Sequence, residues 1–495
     1  MDKLEDLIQK KQKIHFKKEN ESMNIQQQLK KLTARERIEF LLDEGSFVEI
    51  GGFVNLGQTT VITGFGTIDG RLIYLYAQDY NVKGGSIDLE GSKKICNIMD
   101  MALKMGAPLV QILDSVGADL DEGINLFSAF GKIINMNSKL SGVVPQISVI
   151  LGPCNGMSAI SAAMSDFTII SEEKGSFYVS SPENIIEKEG QYVDYNMYAK
   201  GEESLRNGSI QLATKNEREA LDLVKKIFSY LPSNNMELPI REENCHNNVC
   251  ERLNNISKED NKCIYEVIEN IIDEGSIIEF DKDFSKEVVT ALAKLNGITI
   301  GIVANNSKEN NGYINKKAAD KITKFVSLCN SFNISIVSLV DCKGFEANVN
   351  EEREGLALSV ANMSYSLCEA VVPKVSLIIG KAFGAAYITL ASKDSAFDLC
   401  YSWPNAEISL TKPESIIKIH NRSEILASEN PKNKEEELVG KYYEDVIDPY
   451  KAAKVGMIDD MIIPSETKAR IFMVLDMLQS KREIKYPKNH GNTFI

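Results

Sequence analysis

The sequence predicts an α/β protein built from two tandem copies of one unit. Segments of the first half return in the second half at a nearly constant offset of 227 to 230 residues. Within each half, short apolar runs alternate with stretches whose apolar residues have helical spacing. Strands that alternate with helices form parallel sheets covered by helices, so both halves are expected to share that architecture.

The duplication rests on matches that keep one register. DEGSFVEI, starting at Asp43, returns as DEGSIIEF from Asp273. VVPQISVILG (143–152) returns as VVPKVSLIIG (371–380), and each copy is followed by a turn of small residues. Chance matches would not keep register over half of the chain, so we interpret the pattern as an internal duplication.

The elements of the first half follow in order along the chain. Residues 61–79 place β-branched and aromatic residues on both sides of an Asp-Gly turn, which predicts a β-hairpin. Apolar residues with helical spacing predict helices over 89–105, 124–140 and 156–166. The apolar runs that separate these helices predict buried strands at 108–114 and 146–152.

A polar stretch at 233–262 separates the two halves. It is rich in Asn and charged residues and lacks apolar periodicity, as linkers do. We therefore expect an N-terminal half, a linker and a C-terminal half at residues 1–240, 241–262 and 263–495.

Composition argues against several classes of function. Lys and Arg number 56 against 70 Asp and Glu, so the net charge of −14 argues against a nucleic-acid partner. Nine Cys without a CxxC pair, and only four His, argue against a metal site. No uncharged apolar run reaches 18 residues, and the N-terminus lacks a signal-peptide h-region, so we expect a cytoplasmic protein. Lys94 and Lys321, at matching helix positions, are expected to be solvated.

Candidate chemistry lies where two strands turn into helices of small residues. The first turn contains Gly156 and the second contains Gly384. Backbone N–H groups at a helix N-terminus lack intrahelical acceptors, so they can bind an oxyanion. The sequence contains no GxxxxGK[ST] phosphate loop, no GxGxxG opening a helix, no HExxH and no GxSxG. The duplication therefore favours a pair of oxyanion sites.

In this order, the motifs resemble the carboxyltransferase family of biotin-dependent enzymes. KLTARERIEFLLDEGSFVEI (31–50) and VVPQISVILGPC (143–154) resemble its first-half motifs, and AVVPKVSLIIGKAFGAAY (370–387) resembles a second-half motif. The resemblance covers nearly the whole chain and implies two crotonase-like (ClpP/crotonase) halves that act on acyl-CoA thioesters. YLPSNNME (230–237) and the tail from 480 onward are most similar to methylmalonyl-CoA decarboxylase alpha subunits, with propionyl-CoA carboxylase beta subunits as close relatives.

The resemblance implies that a carboxyl group moves between a short acyl-CoA, of the methylmalonyl-CoA type, and biotin on a separate carrier protein. It implies that Gly156 and Met157 offer N–H groups to the thioester oxygen. It also implies that Ala385 and Ala386 offer theirs to the ureido oxygen of biotin. No side-chain acid, base or metal is required. The substrate site is expected to include Gly117, Ala118, Asn155, Gly384, Tyr387 and Ile388.

The same resemblance implies the partners. The family's active site lies between the N-half of one subunit and the C-half of another, which implies a homo-oligomer, either a dimer or a hexamer built as a trimer of dimers. A biotin carrier protein is implied. The resemblance also implies a further partner, either a biotin carboxylase or a membrane-embedded, sodium-pumping decarboxylase subunit. The second of these would place the chain peripherally at the inner face of the membrane.

Some positions depart from the family pattern. Val116 stands where the family has Gly, and Asp119 stands where it has Arg. Met157 stands in a turn where the family has Gly, and Cys342-Lys343 replaces Val-Pro. An alternative is therefore a diverged, catalytically impaired paralogue that acts as a structural or binding subunit of a biotin-dependent complex. A third hypothesis is a crotonase-like hydratase or isomerase, which would need an acid such as Glu122.

Overall fold

The computed structural model describes residues 3–11, 28–57, 59–242 and 249–488. The chain divides into two compact units, Met1–Leu238 and Pro239–Ile495. Of the helices in these described ranges, none is long and apolar enough to cross a membrane.

The first unit is organised around one sheet of seven strands in the order β1-β2-β3-β4-β5-β7-β9. The β1/β2 and β2/β3 pairs are antiparallel, and the remaining pairs are parallel. The strands are β1 (Val48–Ile50), β2 (Val61–Ile68), β3 (Arg71–Gln78), β4 (Leu109–Leu113), β5 (Gln146–Ile150), β6 (Pro153–Asn155), β7 (Phe167–Ser171), β8 (Ser176–Tyr178) and β9 (Leu212–Thr214). The hairpin predicted at 61–79 is confirmed as β2 and β3.

Among the helices of the first unit, Leu89–Met105 and Glu217–Phe228 pack directly on this sheet. The set includes the three helices that the sequence predicts. The bounds of the whole set are Ala34–Leu41, Leu89–Met105, Leu126–Leu140, Met157–Ala163, Pro182–Glu189, Asn196–Ala199, Gly201–Arg206 and Glu217–Phe228. Every residue of β4 and β5 is buried because the strands are covered on both faces.

The second unit repeats this topology. Its main sheet has the order β10-β11-β12-β14-β16-β17-β19, again with two antiparallel pairs followed by parallel pairs. The duplication predicted from the sequence is therefore confirmed in the fold. The strands are β10 (Ile278–Phe280), β11 (Val288–Leu295), β12 (Ile298–Asn305), β13 (Tyr313–Ile314), β14 (Ser335–Cys342), β15 (Gly344–Phe345), β16 (Lys374–Phe383), β17 (Leu399–Ser402), β18 (Glu407–Ser409) and β19 (Asp460–Met461).

The helices of the second unit include a polar group between β18 and β19. Their bounds are Arg252–Ile256, Ile264–Ile271, Lys316–Ser331, Val349–Glu354, Leu356–Glu369, Ala385–Leu390, Pro413–His420, Arg422–Ala427, Pro431–Asp445, Pro449–Lys454 and Thr467–Leu478.

A small second layer of strand pairing is also duplicated. In the first unit β6 pairs in parallel with β8, and in the second unit the end of β16 pairs in parallel with β18. The bridge between Ile87 and Ala118 corresponds to the β13/β15 pair. These pairings fix the backbone on both sides of each strand-to-helix turn.

The expectation that Lys94 and Lys321 are solvated is wrong. Both side chains are buried, with 7% and 2% of their surface exposed. The Lys94 ammonium donates to the Thr59 hydroxyl at 3.0 Å and to the Val61 carbonyl at 2.7 Å. The Lys321 ammonium donates to the carbonyls of Ser285 and Val288 at 2.9 and 2.7 Å. Each lysine therefore joins its helix to backbone carbonyls at or just before the start of a strand.

The second half of the linker predicted at 241–262 is not a linker in the structure, because it packs on the second unit. Residues 243–248 lie outside the described residues, but Arg252–Ile256 forms a helix in the second unit. Leu253 and Ile256 are buried in that unit's apolar core, and the Cys250 N–H donates to the Ser465 carbonyl at 2.9 Å. Two apolar residues in a short helix give too little periodicity to stand out in a polar stretch.

We predict a pH-dependent contribution of Lys321 to stability. Burial lowers the pKa of Lys321 to about 8, whereas an unfolded lysine titrates near about 10.4. Between these values the unfolded chain binds more protons than the folded chain, so this lysine makes stability rise with pH. The thermal unfolding temperature of the unaltered chain should therefore rise relative to that of Lys321→Met between pH 8 and about 10.

Lys324→Met is the matched control, because Lys324 lies on the same helix and its side chain is exposed. Its unfolding temperature should stay at a constant offset from that of the unaltered chain across the same pH range. A constant offset for Lys321→Met as well would contradict the prediction.

Candidate active site

Each unit packs a buried aspartate against a glycine that lies in the neighbouring strand or just after it. Asp114 follows β4, and a Cβ atom on Gly152 would lie 1.8 Å from its Oδ1. Asp341 lies in β14, and a Cβ atom on Gly380 would lie 2.3 Å from its Oδ1. Contacts this short exclude any side chain, so glycine is required at both positions.

In the first unit, Asp114 belongs to a buried ionic cluster. Its carboxylate accepts from the Lys31 ammonium at 2.9 Å and from the Arg37 guanidinium at 2.8 Å, and Arg37 also donates to Glu217. Burial lowers the pKa of Lys31, against the attraction of Asp114. Burial opposes the charge on Arg37 as well, but the two carboxylates outweigh it and raise the pKa of Arg37. The N-terminal segment is thereby bound to the loop that follows β4.

In the second unit, Asp341 is held by the backbone. Its Oδ1 accepts from the N–H of Lys381 at 2.8 Å. This bond joins the end of β14 to the part of β16 that leads into the second turn. The aspartates thus have the same position in both units, and their partners differ.

The strand-to-helix turns themselves have matching backbone geometry. Gly156 has φ 54° and ψ −126°, and Gly384 has φ 61° and ψ −140°. We call residues 155–157 the Gly156 turn and residues 383–386 the Gly384 turn. In each, the glycine N–H donates to the short neighbouring strand, at 3.1 Å to the Tyr178 carbonyl and at 2.9 Å to the Ser409 carbonyl. Only glycine adopts these angles without strain.

One predicted role changes in consequence. The resemblance assigned the N–H of Gly156 to the substrate, but Tyr178 accepts that bond. Within the described part of the chain, no group accepts from the N–H of Met157, Ala385 or Ala386. These are first-turn helix positions, whose N–H groups have no intrahelical acceptor. Gly156 therefore gives its N–H to the protein, and the N–H of Met157 is left without an acceptor among the described residues.

The loop after β4 lies against the Gly156 turn, as the predicted site residues require. The Ser115 hydroxyl accepts from the N–H of Gly117 at 2.9 Å, and Gly117 has φ 110°. The Asn155 amide donates to the Val116 carbonyl and to the Tyr178 hydroxyl, both at 3.1 Å. A Cβ atom on Gly117 would lie 2.4 Å from the Asn155 Oδ1. Gly117 and Asn155 therefore meet directly.

The second unit has the same loop with sulfur in place of oxygen. The Cys342 Sγ takes the position of the Ser115 hydroxyl and contacts the N and O atoms of Gly344 at 3.4 Å. Burial raises the pKa of Cys342 to about 12, so the thiol keeps its proton and can donate to the Gly344 carbonyl. Gly344 has φ 127°, close to the value at Gly117.

The acidic residue at 119 is neutralised locally. Asp119 is buried, and its Oδ2 accepts from the Lys83 ammonium at 2.6 Å. The hydrogen bond from Lys83 holds the pKa of Asp119 below its ordinary value. The corresponding acid in the second unit, Glu346, accepts from the Asn310 amide at 2.7 Å. The Arg-to-Asp departure therefore does not leave an unpaired negative charge beside the turn.

A cluster of tyrosines that no sequence pattern predicts lies beside the Gly156 turn. The rings of Tyr178 and Tyr195 meet edge to face with centroids 5.2 Å apart, and the Tyr198 ring lies 6.1 Å from that of Tyr178. Tyr178 provides both the carbonyl that accepts from Gly156 and the hydroxyl that accepts from Asn155. It lies on a three-residue strand, which is too short to give a periodic signal.

Two cavities open beside the Gly384 turn, and both are lined by Gly384 and Ala385. The larger has a volume of about 800 Å³, and Tyr387 and Ile388 line it as well. Tyr387 is buried, and its hydroxyl donates to the Met457 carbonyl at 2.8 Å, whereas Ile388 is 55% exposed. The smaller cavity, of about 450 Å³, lies towards β13 and β15.

Comparison with known proteins matches residues 26–493 to the carboxyl transferase domain. This chain belongs to the carboxyl transferase domain family. It is 37% identical to a propionyl-CoA carboxylase carboxyltransferase subunit of Haloferax mediterranei, over 93% of each chain. It is 35% identical to the methylmalonyl-CoA decarboxylase subunit alpha of Propionigenium modestum, over 99% of this chain and 98% of that one.

Solved structures agree with the assignment. The carboxyl transferase superimposes on the transcarboxylase 12S subunit with a TM-score of 0.91 and 35% identity, over 95% of this chain and 94% of that one. That protein is described as a hexamer with methylmalonyl-coenzyme A bound. The crotonase-like fold inferred from the resemblance is confirmed by this match and by the repeated sheet.

We predict that Gly152→Ala will disrupt the first unit. The new methyl group would lie 1.8 Å from the Asp114 Oδ1 and 2.6 Å from the Lys31 Nζ, so the buried ionic cluster would have to separate. The expected loss is about 3 kcal/mol of unfolding free energy, seen as a lower thermal unfolding temperature.

Gly131→Ala is the control in the same unit. It lies in the helix Leu126–Leu140, and a Cβ atom there meets nothing within 4 Å. We expect no loss, or a gain of up to about 1 kcal/mol from helix propensity. An unfolding temperature for Gly152→Ala equal to that of Gly131→Ala would refute the packing argument.

Proposed function

We propose that this carboxyl transferase moves a carboxyl group between a short-chain acyl-CoA of the methylmalonyl-CoA type and biotin attached to a separate carrier protein. The observation that carries the proposal is the pair of turns with the same glycine angles and open N–H donors. The relatives named for propionyl-CoA and methylmalonyl-CoA enzymes support the choice of acyl group.

The first turn would act on the thioester. When the carboxyl group leaves the acyl chain, its C–C bonding pair moves towards the thioester carbonyl and forms an enolate oxygen. The Met157 N–H is a preorganised donor for that oxygen, and such donors contribute about 10²- to 10³-fold to rates. Gly117, Ala118 and Asn155 would hold the neighbouring loop in register with the turn.

The second turn would act on the acceptor. Biotin supplies a ureido nitrogen that takes up the carboxyl group and releases its proton to the enolate carbon, so that atoms and charges balance. The N–H groups of Ala385 and Ala386 would bind the ureido oxygen. The larger cavity beside them, lined by Tyr387 and Ile388, has room for a small bicyclic ring.

Assembly is part of the proposal. We expect a homo-oligomer, as a dimer or a trimer of dimers, working with a biotin carrier protein and either a biotin carboxylase or a membrane-embedded, sodium-pumping decarboxylase subunit. The last would bring this chain to the inner face of the membrane. Leu120, Ile124 and Phe127 are 87%, 80% and 78% exposed, and such apolar surface supports a protein partner.

The alternative of a catalytically impaired paralogue has less support. The changed residues keep the turn geometry, since neither Val116 nor Met157 has a positive φ. Asp119 is paired with Lys83 and so does not repel an anionic ligand as an isolated charge would. The relatives named above are subunits of a carboxylase and a decarboxylase, which favours a catalytic role.

The direct test is carboxyl transfer by the purified chain. Methylmalonyl-CoA labelled in its free carboxyl group would be incubated with free biotin or a biotinylated carrier. We expect label on biotin and formation of propionyl-CoA in equal amounts. No transfer from malonyl-, methylmalonyl- or glutaconyl-CoA by the intact oligomer would favour the impaired-paralogue alternative.

Gly156→Ala should lower this transfer about a hundredfold. The nearest atom to a Cβ at this position is 3.9 Å away, so there is space, but φ 54° with ψ −126° disfavours any side chain. The turn would relax and redirect the Met157 N–H while the fold is retained. Gly131→Ala should transfer at the unaltered rate. Equal rates for both variants would show that the turn is not used.

A further inference from the structure

Lys343 lies in a loop that the backbone fixes. Its N–H donates to the Gly312 carbonyl at 2.9 Å, and the next two residues form β15, which pairs with β13. The residue is partly buried and lines the cavity of about 450 Å³ together with Gly384 and Ala385. A lysine side chain is therefore directed to the same cavity as the Gly384 turn.

The corresponding loops of the two units differ at the position of this lysine. The Gly117 and Gly344 loops share a positive φ and the same side-chain contact from the residue two positions earlier. They also share an acid held by a partner, Lys83 in the first unit and Asn310 in the second. The residue just before the loop glycine differs, since it is Val116 in the first unit and Lys343 in the second.

The charges of the smaller cavity leave Lys343 without a counterion. The other charged residues of its lining are Lys412 and Glu346. The Lys412 ammonium lies 4.6 Å from the centre of the Tyr313 ring, and Glu346 accepts from two asparagine amides. Among the residues that the structure describes, no carboxylate forms an ion pair with Lys343. A partly buried cation of this kind favours an anionic ligand.

We infer that Lys343 binds the carboxylate that biotin carries to or from the Gly384 turn. The inference rests on the proposed function and adds a catalytic side chain to it. The ammonium would hydrogen-bond a carboxylate oxygen while the N–H groups of Ala385 and Ala386 hold the ureido oxygen. In the proposed function the first unit would bind the thioester, and Val116, which stands at the position of Lys343, carries no charge.

The test compares kinetic constants for the two substrates with the full chain. Transfer from labelled methylmalonyl-CoA would be measured against biotin concentration, and then against methylmalonyl-CoA concentration at fixed biotin. Lys343→Met should lower kcat/KM for biotin about ten- to a hundredfold, the range expected for a hydrogen bond between charged groups. The KM for methylmalonyl-CoA should stay within about twofold, because the thioester site is in the other unit.

Two further variants separate this role from a structural one. Lys343→Arg keeps the cation and should recover most of the lost kcat/KM. Lys412→Met removes the other cation of the cavity, which stacks on Tyr313, and should have a much smaller effect. Three results would each overturn this inference and leave the proposed function standing. They are an unchanged kcat/KM for biotin in Lys343→Met, a loss in Lys412→Met equal to that in Lys343→Met, and no recovery of kcat/KM in Lys343→Arg. Absence of transfer by the unaltered chain would overturn the proposed function and this inference with it.

Discussion

The structure depends on a buried carboxylate packed against a glycine that has no room for a Cβ atom. Asp114 meets Gly152 in the first unit, and Asp341 meets Gly380 in the second. This contact joins the ends of two parallel strands at the edge where the sheet gives way to the site. A charged group loses its hydration when it is buried, which is costly, so each aspartate needs partners. Lys31 and Arg37 pair with Asp114, and the N–H of Lys381, on the strand that leads into the Gly384 turn, donates to Asp341.

Each strand-to-helix turn begins at a strand end that these contacts hold in place. Once the strand end is placed, one glycine with a positive φ reverses the chain direction and gives its N–H to a short neighbouring strand. Among the residues that the structure describes, the N–H groups that follow each glycine have no acceptor. The same backbone geometry occurs twice, and the side chains around it differ. Val116 and Met157 surround the first turn with apolar surface, whereas Lys343 adds a cation beside the second.

The sequence predicts the duplicated fold and the position of both turns. The repeat, the hairpin and the buried strands have strong periodic signals, and the Gly156 and Gly384 turns stand at the same place in both copies. Contacts between side chains that are distant in the sequence could not be predicted from it. The buried Lys321, the pairing of Asp119 with Lys83, and the use of the Gly156 N–H by Tyr178 all depend on the tertiary fold. The short helix within the expected linker was hidden because its residues are mostly polar.

The central claim is that the backbone of these turns binds the oxyanions. A crystal structure of the chain with propionyl-CoA, at a resolution that places the thioester carbonyl, tests it most directly. We expect the thioester oxygen at about 3 Å from the Met157 backbone nitrogen, in line with its N–H. A thioester bound with its oxygen more than about 4 Å from that nitrogen, and directed to a side chain instead, would contradict it.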